Sequence, residues 1–384
     1  MISHDQIERK DPRADLIRFK SLGEGLSRGS NEVVFITLNG KGRYEEGYHK
    51  GSKVYKIPLW SKVKMIQLFC FTVFLLPTIF RARQGRQFDI IFINSVLSIP
   101  GVILYRYLSG EGFIQFDLMG LISEEKFLLK QKNFWMKMGK KIFLFLENSF
   151  LSQVDFITTI NDKHKQIIQS RIKRPVYVIR DGVHEEILKQ TWLSQKDKTE
   201  LERTVMIFVG QVNHFRLDPL LRTMPTLLKE FPNLYLKVAG SGPQLARYRR
   251  MVESLGLKDK VVFEGYISHE KIFDYIAAAD IAYSDDWSIN GFPMKIFEYM
   301  AMGKPVLAEE TESIKELLVD NANAFLYRNE AELKEKVLIL ARDEKLRREI
   351  GENAKQMIRD HTWEKRGDEL NLIYRQYISL QKTI

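Results

Sequence analysis

The sequence predicts an α/β protein of two domains, each built on a parallel sheet. Three observations lead there. A chain of 384 residues suits two domains of ordinary size. Short apolar runs bounded by polar residues, such as 90–93 and 205–209, read as buried strands of parallel sheets. Residues 281–308 read as strand, loop, helix, strand, the order that a parallel sheet needs.

Composition narrows the class. Hydrophobic residues make up 45% and charged residues 28%, the profile of a globular protein. Cys70 is the single cysteine, which excludes disulfides and thiolate metal clusters and suits a reducing compartment. Residues 1–20 are densely charged, so no signal peptide is expected. The net charge of +10 is uneven: residues 1–190 hold 30 Lys and Arg against 19 Asp and Glu, a surplus of 11, whereas residues 191–384 hold 29 against 30. The first half should therefore meet an anionic surface. No nucleic-acid motif is present, which favours a membrane face.

The elements follow in order. Residues 1–4 read as the tail of a first strand whose start is clipped. Leu16, Phe19, Leu22 and Leu26 share one face, predicting a helix over 11–28. Strands follow at 31–37 and 54–58. Residues 65–80 carry no charge, but a membrane span needs about 20 apolar residues. This run is shorter, contains Pro77 and leads into the strand at 89–94. It is expected to be a helix packed on the sheet, with one face open to lipid. The next strand, 113–118, places Asp117 at its carboxyl end, where α/β folds bind ligands. Asp117 is a candidate ligand-site residue, or else a cap on the following helix.

Residues 126–141 carry six lysines and no acid, interleaved with Phe134, Trp135 and other apolar residues. This pattern suits a helix lying on a membrane, with Lys130, Trp135, Lys137, Lys140 and Lys141 as its membrane face; a solvated lysine face is the alternative. Strands at 154–159 and 176–179 close the first half, and 185–202 reads as a linker. The second half opens with the strand 205–209 and Gly210, then a loop carrying Gln211 and Arg216. A helix (220–229), a strand (234–239) and the turn Gly240-Ser241-Gly242 come next, the two glycines permitting close approach of a ligand. A strand (261–265), a helix (271–279) and the strand from Ile281 lead to the central stretch. Beyond it come a helix (313–318), a strand (324–327), a charged helical stretch (330–357) and a final helix from Trp363.

The central stretch, Asn290 to Leu307, holds the densest chemistry. Ile296, Phe297, Met300 and Ala301 form the apolar stripe of a helix that Gly303 ends. Pro293 suits its first turn, so free N–H groups and the positive dipole end offer a phosphate site there. Lys295, in that first turn, opposes the dipole and suits an anion; the alternative is a solvated surface lysine. Glu298, one turn on, can accept two hydroxyl hydrogen bonds, as a ribose would offer.

Residues 291–306, Gly-Phe-Pro-Met-Lys-Ile-Phe-Glu-Tyr-Met-Ala-Met-Gly-Lys-Pro-Val, resemble the nucleotide-sugar signature of retaining glycosyltransferases of family 4. The resemblance runs from about Ile2 to Trp363. It implies the GT-B fold: two Rossmann-like domains facing a cleft. Domain bounds are then 1–187 for an acceptor-binding domain, 188–362 for a nucleotide-sugar-binding domain, and 363–384 for a helix crossing back onto the first. In the family two acids are separated by seven residues; Glu298 matches the ribose-binding second and Asn290 stands at the first, where it would contact the donor sugar. The resemblance also makes Gly210, Gln211 and Arg216 the diphosphate loop, with Gln211 at an arginine position and Arg216 at a lysine position. It adds Gly240, Gly242, the Tyr266 backbone, Gly291 and Phe292 to the donor site. Asp117 would orient the acceptor, and Arg216 and Lys295 would stabilise the leaving diphosphate without metal or other cofactor.

The implied reaction moves a hexosyl group from a nucleoside diphosphate sugar to a hydroxyl of a glycan or lipid-linked acceptor, in the cytoplasm or peripherally on the inner face of the cell membrane. A nucleotide-sugar epimerase and a non-catalytic homologue acting in a glycosylation complex stay open as rivals. The chain has no Asp-x-Asp pair at a strand end, no metal-ligand spacing and no nucleophile elbow.

Overall fold

The computed structural model describes residues 1–7, 14–39, 42–58, 64–120, 134–190, 192, 202–213, 216–285 and 292–381. The chain forms two compact units, Met1–Asp181 with Trp363–Ile384, and Gly182–Thr362.

In the first unit, α1 (Ala14–Ser27) is followed by β1 (Val34–Leu38), β2 (Glu45–His49) and β3 (Ser52–Ile57). Next come α2 (Lys64–Arg83), β4 (Ile90–Ile93), α3 (Ile99–Ser109), β5 (Phe113–Leu118), α4 (Phe134–Leu151), β6 (Phe156–Thr159), α5 (Asp162–Arg171) and β7 (Val176–Val178). Strands β4 to β7 pair in sequence and in parallel. β1 pairs with β3 in parallel, and Ile2 bridges both Ile36 of β1 and Ile93 of β4. The β2–β3 hairpin is antiparallel and has no counterpart in the sequence reading. Its two-residue turn, Lys50-Gly51, has both φ angles positive (45° and 87°), the primed geometry that matches strand twist. Asn-Gly or Asp-Gly would announce such a turn; Lys-Gly does not. Residues 121–133, and with them part of the lysine-rich helix expected at 126–141, lie outside the described residues; α4 itself runs on to Leu151.

α2 packs on α3 and buries Phe71, Leu75, Ile79 and Ala82 in the core. Gly101 of α3 lets the helices approach: a Cβ there would stand 3.1 Å from Leu75. Among the described residues no helix is long and apolar enough to cross a membrane. The last helix, α14 (Trp363–Gln381), belongs to this unit and lies against α1. Gly25 and Gly367 meet backbone to backbone there, since a Cβ on Gly367 would fall 2.4 Å from the Gly25 carbonyl carbon.

The second unit holds α6 (Glu185–Lys189), β8 (Thr204–Val209), α7 (Asp218–Glu230), β9 (Leu234–Ala239), α8 (Leu245–Ser254), β10 (Val261–Gly265), α9 (His269–Ala278) and β11 (Ile281–Ser284). It continues with α10 (Met294–Ala301), β12 (Val306–Glu309), α11 (Glu312–Lys315), β13 (Phe325–Tyr327), α12 (Glu330–Arg342) and α13 (Glu344–Ile358). α6 forms inside the stretch read as a linker. The stretch 330–357, read as one helical run, divides at Asp343, whose carboxylate accepts from Leu346 N at 2.8 Å and caps α13. All six strands are parallel, in the order β10-β9-β8-β11-β12-β13. This is the doubly wound order, and its switch point lies between β8 and β11.

Candidate functional site

Chain order reverses at the β8/β11 switch point, so the loops leaving those strands diverge and open a crevice at their carboxyl ends. The ladder shows it: β11 pairs with β8 only at Ile281–Met206 and Ala282–Ile207. Further along, Tyr299 of α10 fills the gap. Its hydroxyl accepts from Val209 N at 2.8 Å, satisfying a strand-end donor that has lost its ladder partner.

β8 ends in Gly210, whose φ of +132° few side chains adopt. The 210–213 loop is tied to the loop after β9 by Val212 N to Ser241 O (2.9 Å) and Gln244 N to Val212 O (3.1 Å). A Cβ on Gly240 would stand 1.8 Å from Gly210 O, and one on Gly242 would stand 2.4 Å from Val212 O. What stands against Gly240 and Gly242 in this structure is the neighbouring loop. Gln211 is exposed and accepts from the Asn213 amide at 2.7 Å. Arg216 is half-buried beside the start of α7. The turn around it is anchored by Leu217 N to Tyr248 Oη (3.1 Å) and by two short Arg247–Asp218 bonds (2.6 and 2.7 Å).

α10 brings the central motif to the crevice. Pro293 occupies the N-cap and Gly303 (φ +64°) ends the helix in a Schellman motif, with Lys304 N bonded to Tyr299 O and Gly303 N to Met300 O. Lys295 is not a solvated surface lysine: it is buried, with Nζ 4.1 Å from the centre of the Phe208 ring on β8. It also lies near Asp285, the residue after β11. Burial pushes the Asp285 carboxyl up to about 8; a hydrogen bond and charge from Glu309 add to this, while Lys295 and the Tyr283 hydroxyl oppose it. Tyr283 and Tyr327 share a 2.9 Å hydroxyl contact below, and burial raises both phenols well above their ordinary range.

Glu298 lies one turn into α10, and its Oε1 is 2.7 Å from Nε2 of His269, the first residue of α9. Tyr266 and Ile267 lie between β10 and that histidine, with Tyr266 exposed and Ile267 half-buried. Phe292 packs edge-on against Phe297 (4.9 Å). Asn290 and Gly291 lie outside the described residues. Near the carboxyl ends of the strands, Lys295 thus lies against Phe208 of β8, and Glu298 meets His269, which follows β10. Among the described residues no three His, Cys, Asp or Glu side chains group as metal ligands would.

Residues 190–357 match the family of glycosyl transferases group 1. The chain carries a group 1 glycosyltransferase domain. It is 22% identical over 386 residues to an uncharacterised glycosyltransferase of Methanocaldococcus jannaschii, covering 92% of each chain. Its fold is similar to that of sucrose-phosphate synthase from Thermosynechococcus elongatus, with a TM-score of 0.78 over 99% of this chain and 98% of that one at 18% identity. It is likewise similar to Anabaena HepE, whose structure contains UDP and glucose, with a TM-score of 0.72 over 98% of each chain at 13% identity. These solved structures share the GT-B fold with this glycosyltransferase.

In the first unit of the glycosyltransferase, Asp117 is not presented to a ligand as expected. It is buried, and Arg18 donates to both of its oxygens (2.8 and 2.9 Å) while Thr158 donates to Oδ1 at 2.7 Å. Arg18 also holds Asp181 at 2.8 Å. Burial raises the Asp181 carboxyl, only partly offset by Arg18. Asp117 is therefore a structural node that ties the end of β5 to α1 and to the last residue before the second unit. Among the described residues it caps no helix.

Of the proposed membrane face, Lys130 lies outside the described residues, and the side chains of Trp135, Lys137 and Lys140 are not described. Lys141 is exposed on α4. Beside it, Met138, Ile142, Phe145 and Leu146 are all exposed, Phe145 at 71%, although their spacing is that of a stripe normally buried in a core. Sequence reasoning missed Tyr299 and His269. A histidine at a helix start carries no signal of a partner 29 residues away.

Proposed function

We propose that the chain transfers a hexosyl group, with retention, from a nucleoside diphosphate sugar to a hydroxyl of a glycan or lipid-linked acceptor at a membrane surface. The observation that carries this reading is the convergence of Lys295 and Glu298 on one crevice, at the switch point of the matched domain. The UDP and glucose bound by HepE support the donor class.

In this reading Glu298 holds the ribose and Asn290 the donor sugar. As the glycosidic bond breaks, the diphosphate gains negative charge. Lys295, Arg216 and the free N–H groups at the start of α10 stabilise that charge without reorganising. The chemistry needs no metal. The exposed apolar stripe of α4 beside Lys141 supports binding to an anionic membrane, which would keep the enzyme near a lipid-linked acceptor.

The test is a thermal-shift screen of nucleotide-sugars followed by an assay for released nucleoside diphosphate. One donor should stabilise the protein and be consumed in the presence of acceptor. Glu298→Gln should keep the fold and weaken nucleotide and nucleotide-sugar alike. If the variant binds the nucleotide normally, Glu298 does not hold the ribose.

A further inference from the structure

The proposed function gives Glu298 the ribose but leaves its orientation unexplained. A carboxylate on a helix surface rotates about three bonds, and reading a vicinal diol requires its plane to be fixed. The structure supplies a fixing group. His269 Nε2 stands 2.7 Å from Glu298 Oε1. A carboxylate only accepts, so that nitrogen carries the proton and donates it. The ring is itself held: it meets Phe273, one turn along α9, edge-on at 5.4 Å, and Phe273 packs on Trp192 at 5.4 Å. The Glu298 side chain keeps only 12% of its surface exposed, while that of His269 keeps 40%. The pair is therefore open on one side, with Oε2 outside the His269 bond. Its place in the fold is also informative. His269 follows Tyr266 and Ile267, so it joins the segment leaving β10 to the acid on α10.

We propose that His269 is a positioning residue of the nucleoside pocket. It locks the Glu298 carboxylate in the plane that accepts the ribose hydroxyls, and through Glu298 it sets the preference for ribonucleoside over dideoxyribonucleoside diphosphates. This rests on the ribose role of Glu298. A purely structural role for the pair, joining α9 to α10, would change stability but not that preference.

The test is calorimetry with whichever of UDP, GDP and ADP binds tightest, alongside its 2′,3′-dideoxy form. The parent should prefer the ribonucleotide by about tenfold or more, the scale of a hydrogen bond to a charged group. Glu298→Gln should erase the preference. His269→Ala should remove most of it by weakening the ribonucleotide while leaving dideoxy affinity unchanged. His269→Gln, whose amide can still donate, should restore part of it. In the double variant His269→Ala with Glu298→Gln, the loss should equal that of Glu298→Gln alone, since both act through one contact. If His269→Ala keeps the parental preference while Glu298→Gln loses it, His269 does not position the acid. Equal weakening of both ligands by His269→Ala, with a lowered Tm, likewise overturns the proposal and leaves the ribose reading standing. A full preference in Glu298→Gln would instead overturn the ribose reading itself, and the role of His269 with it.

Discussion

A buried lysine sets the chemistry at the scale of single residues. Lys295 is buried against Phe208 and lies beside Asp285. Lys295→Ala and Arg216→Ala should each weaken nucleoside diphosphate binding by roughly 1.5–3 kcal/mol, as for hydrogen bonds to charged groups. Unchanged affinity by calorimetry in both would remove them from the site. Asp285 adds a pH signature. Its folded value of about 8 lies above the ordinary 3.8, so its favourable contribution is complete below the ordinary value and is lost as pH rises toward 8. Asp285→Asn cannot ionise. Its stability relative to the parent should therefore improve as pH rises through neutrality to 8, at about 1.4 kcal/mol for each pH unit. Denaturant titrations showing a constant difference would contradict the buried, protonated acid. At this scale the sequence was legible only locally. The Ile296, Phe297, Met300 and Ala301 stripe is buried as its spacing requires. The Arg18–Asp117 bond spans 99 positions and His269–Glu298 spans 29. No local pattern encodes either.

Elements were legible where burial is two-sided. Parallel strands covered on both faces read as near-continuous apolar runs, so β8 and β11, buried at every residue, stand where their runs suggest. The β2 strand alternates half-buried and exposed residues at a sheet edge, and its Glu-Glu-Gly-Tyr-His composition hides it. Gly240 and Gly242 allow close approach, and the loop that begins at Gly210 stands against them. α4 presents the opposite problem, an exposed apolar stripe where its spacing suggests a core. Each lysine near an anionic bilayer contributes about 1 kcal/mol, and salt screens the attraction. Acidic liposomes should thus retain the protein at low salt and release it at high salt. Changing Lys130, Lys137, Lys140 and Lys141 to Glu should abolish retention while nucleotide binding persists. Equal retention on neutral and acidic liposomes, or none on either, would make the lysines a solvated face.

For the whole molecule, the doubly wound order of the second unit explains why the site lies where it does. Only at the β8/β11 boundary do successive loops part, and the motif at 290–307 is the segment that follows β11. The first unit carries the charge surplus and the exposed apolar stripe, while the second carries the glycosyltransferase motif at 290–307. That division of labour fits an enzyme joining a charged donor to an acceptor at a surface. Every role given to the crevice residues depends on hexosyl transfer with retention. Proton NMR of the reaction, run with the stabilising nucleotide-sugar and an acceptor, decides that point. The first-formed product should have the anomeric configuration of the donor, appear in step with free nucleoside diphosphate, and be lost in Lys295→Ala. A product of opposite configuration, or nucleotide-sugar turnover that releases no nucleoside diphosphate, would contradict retaining transfer.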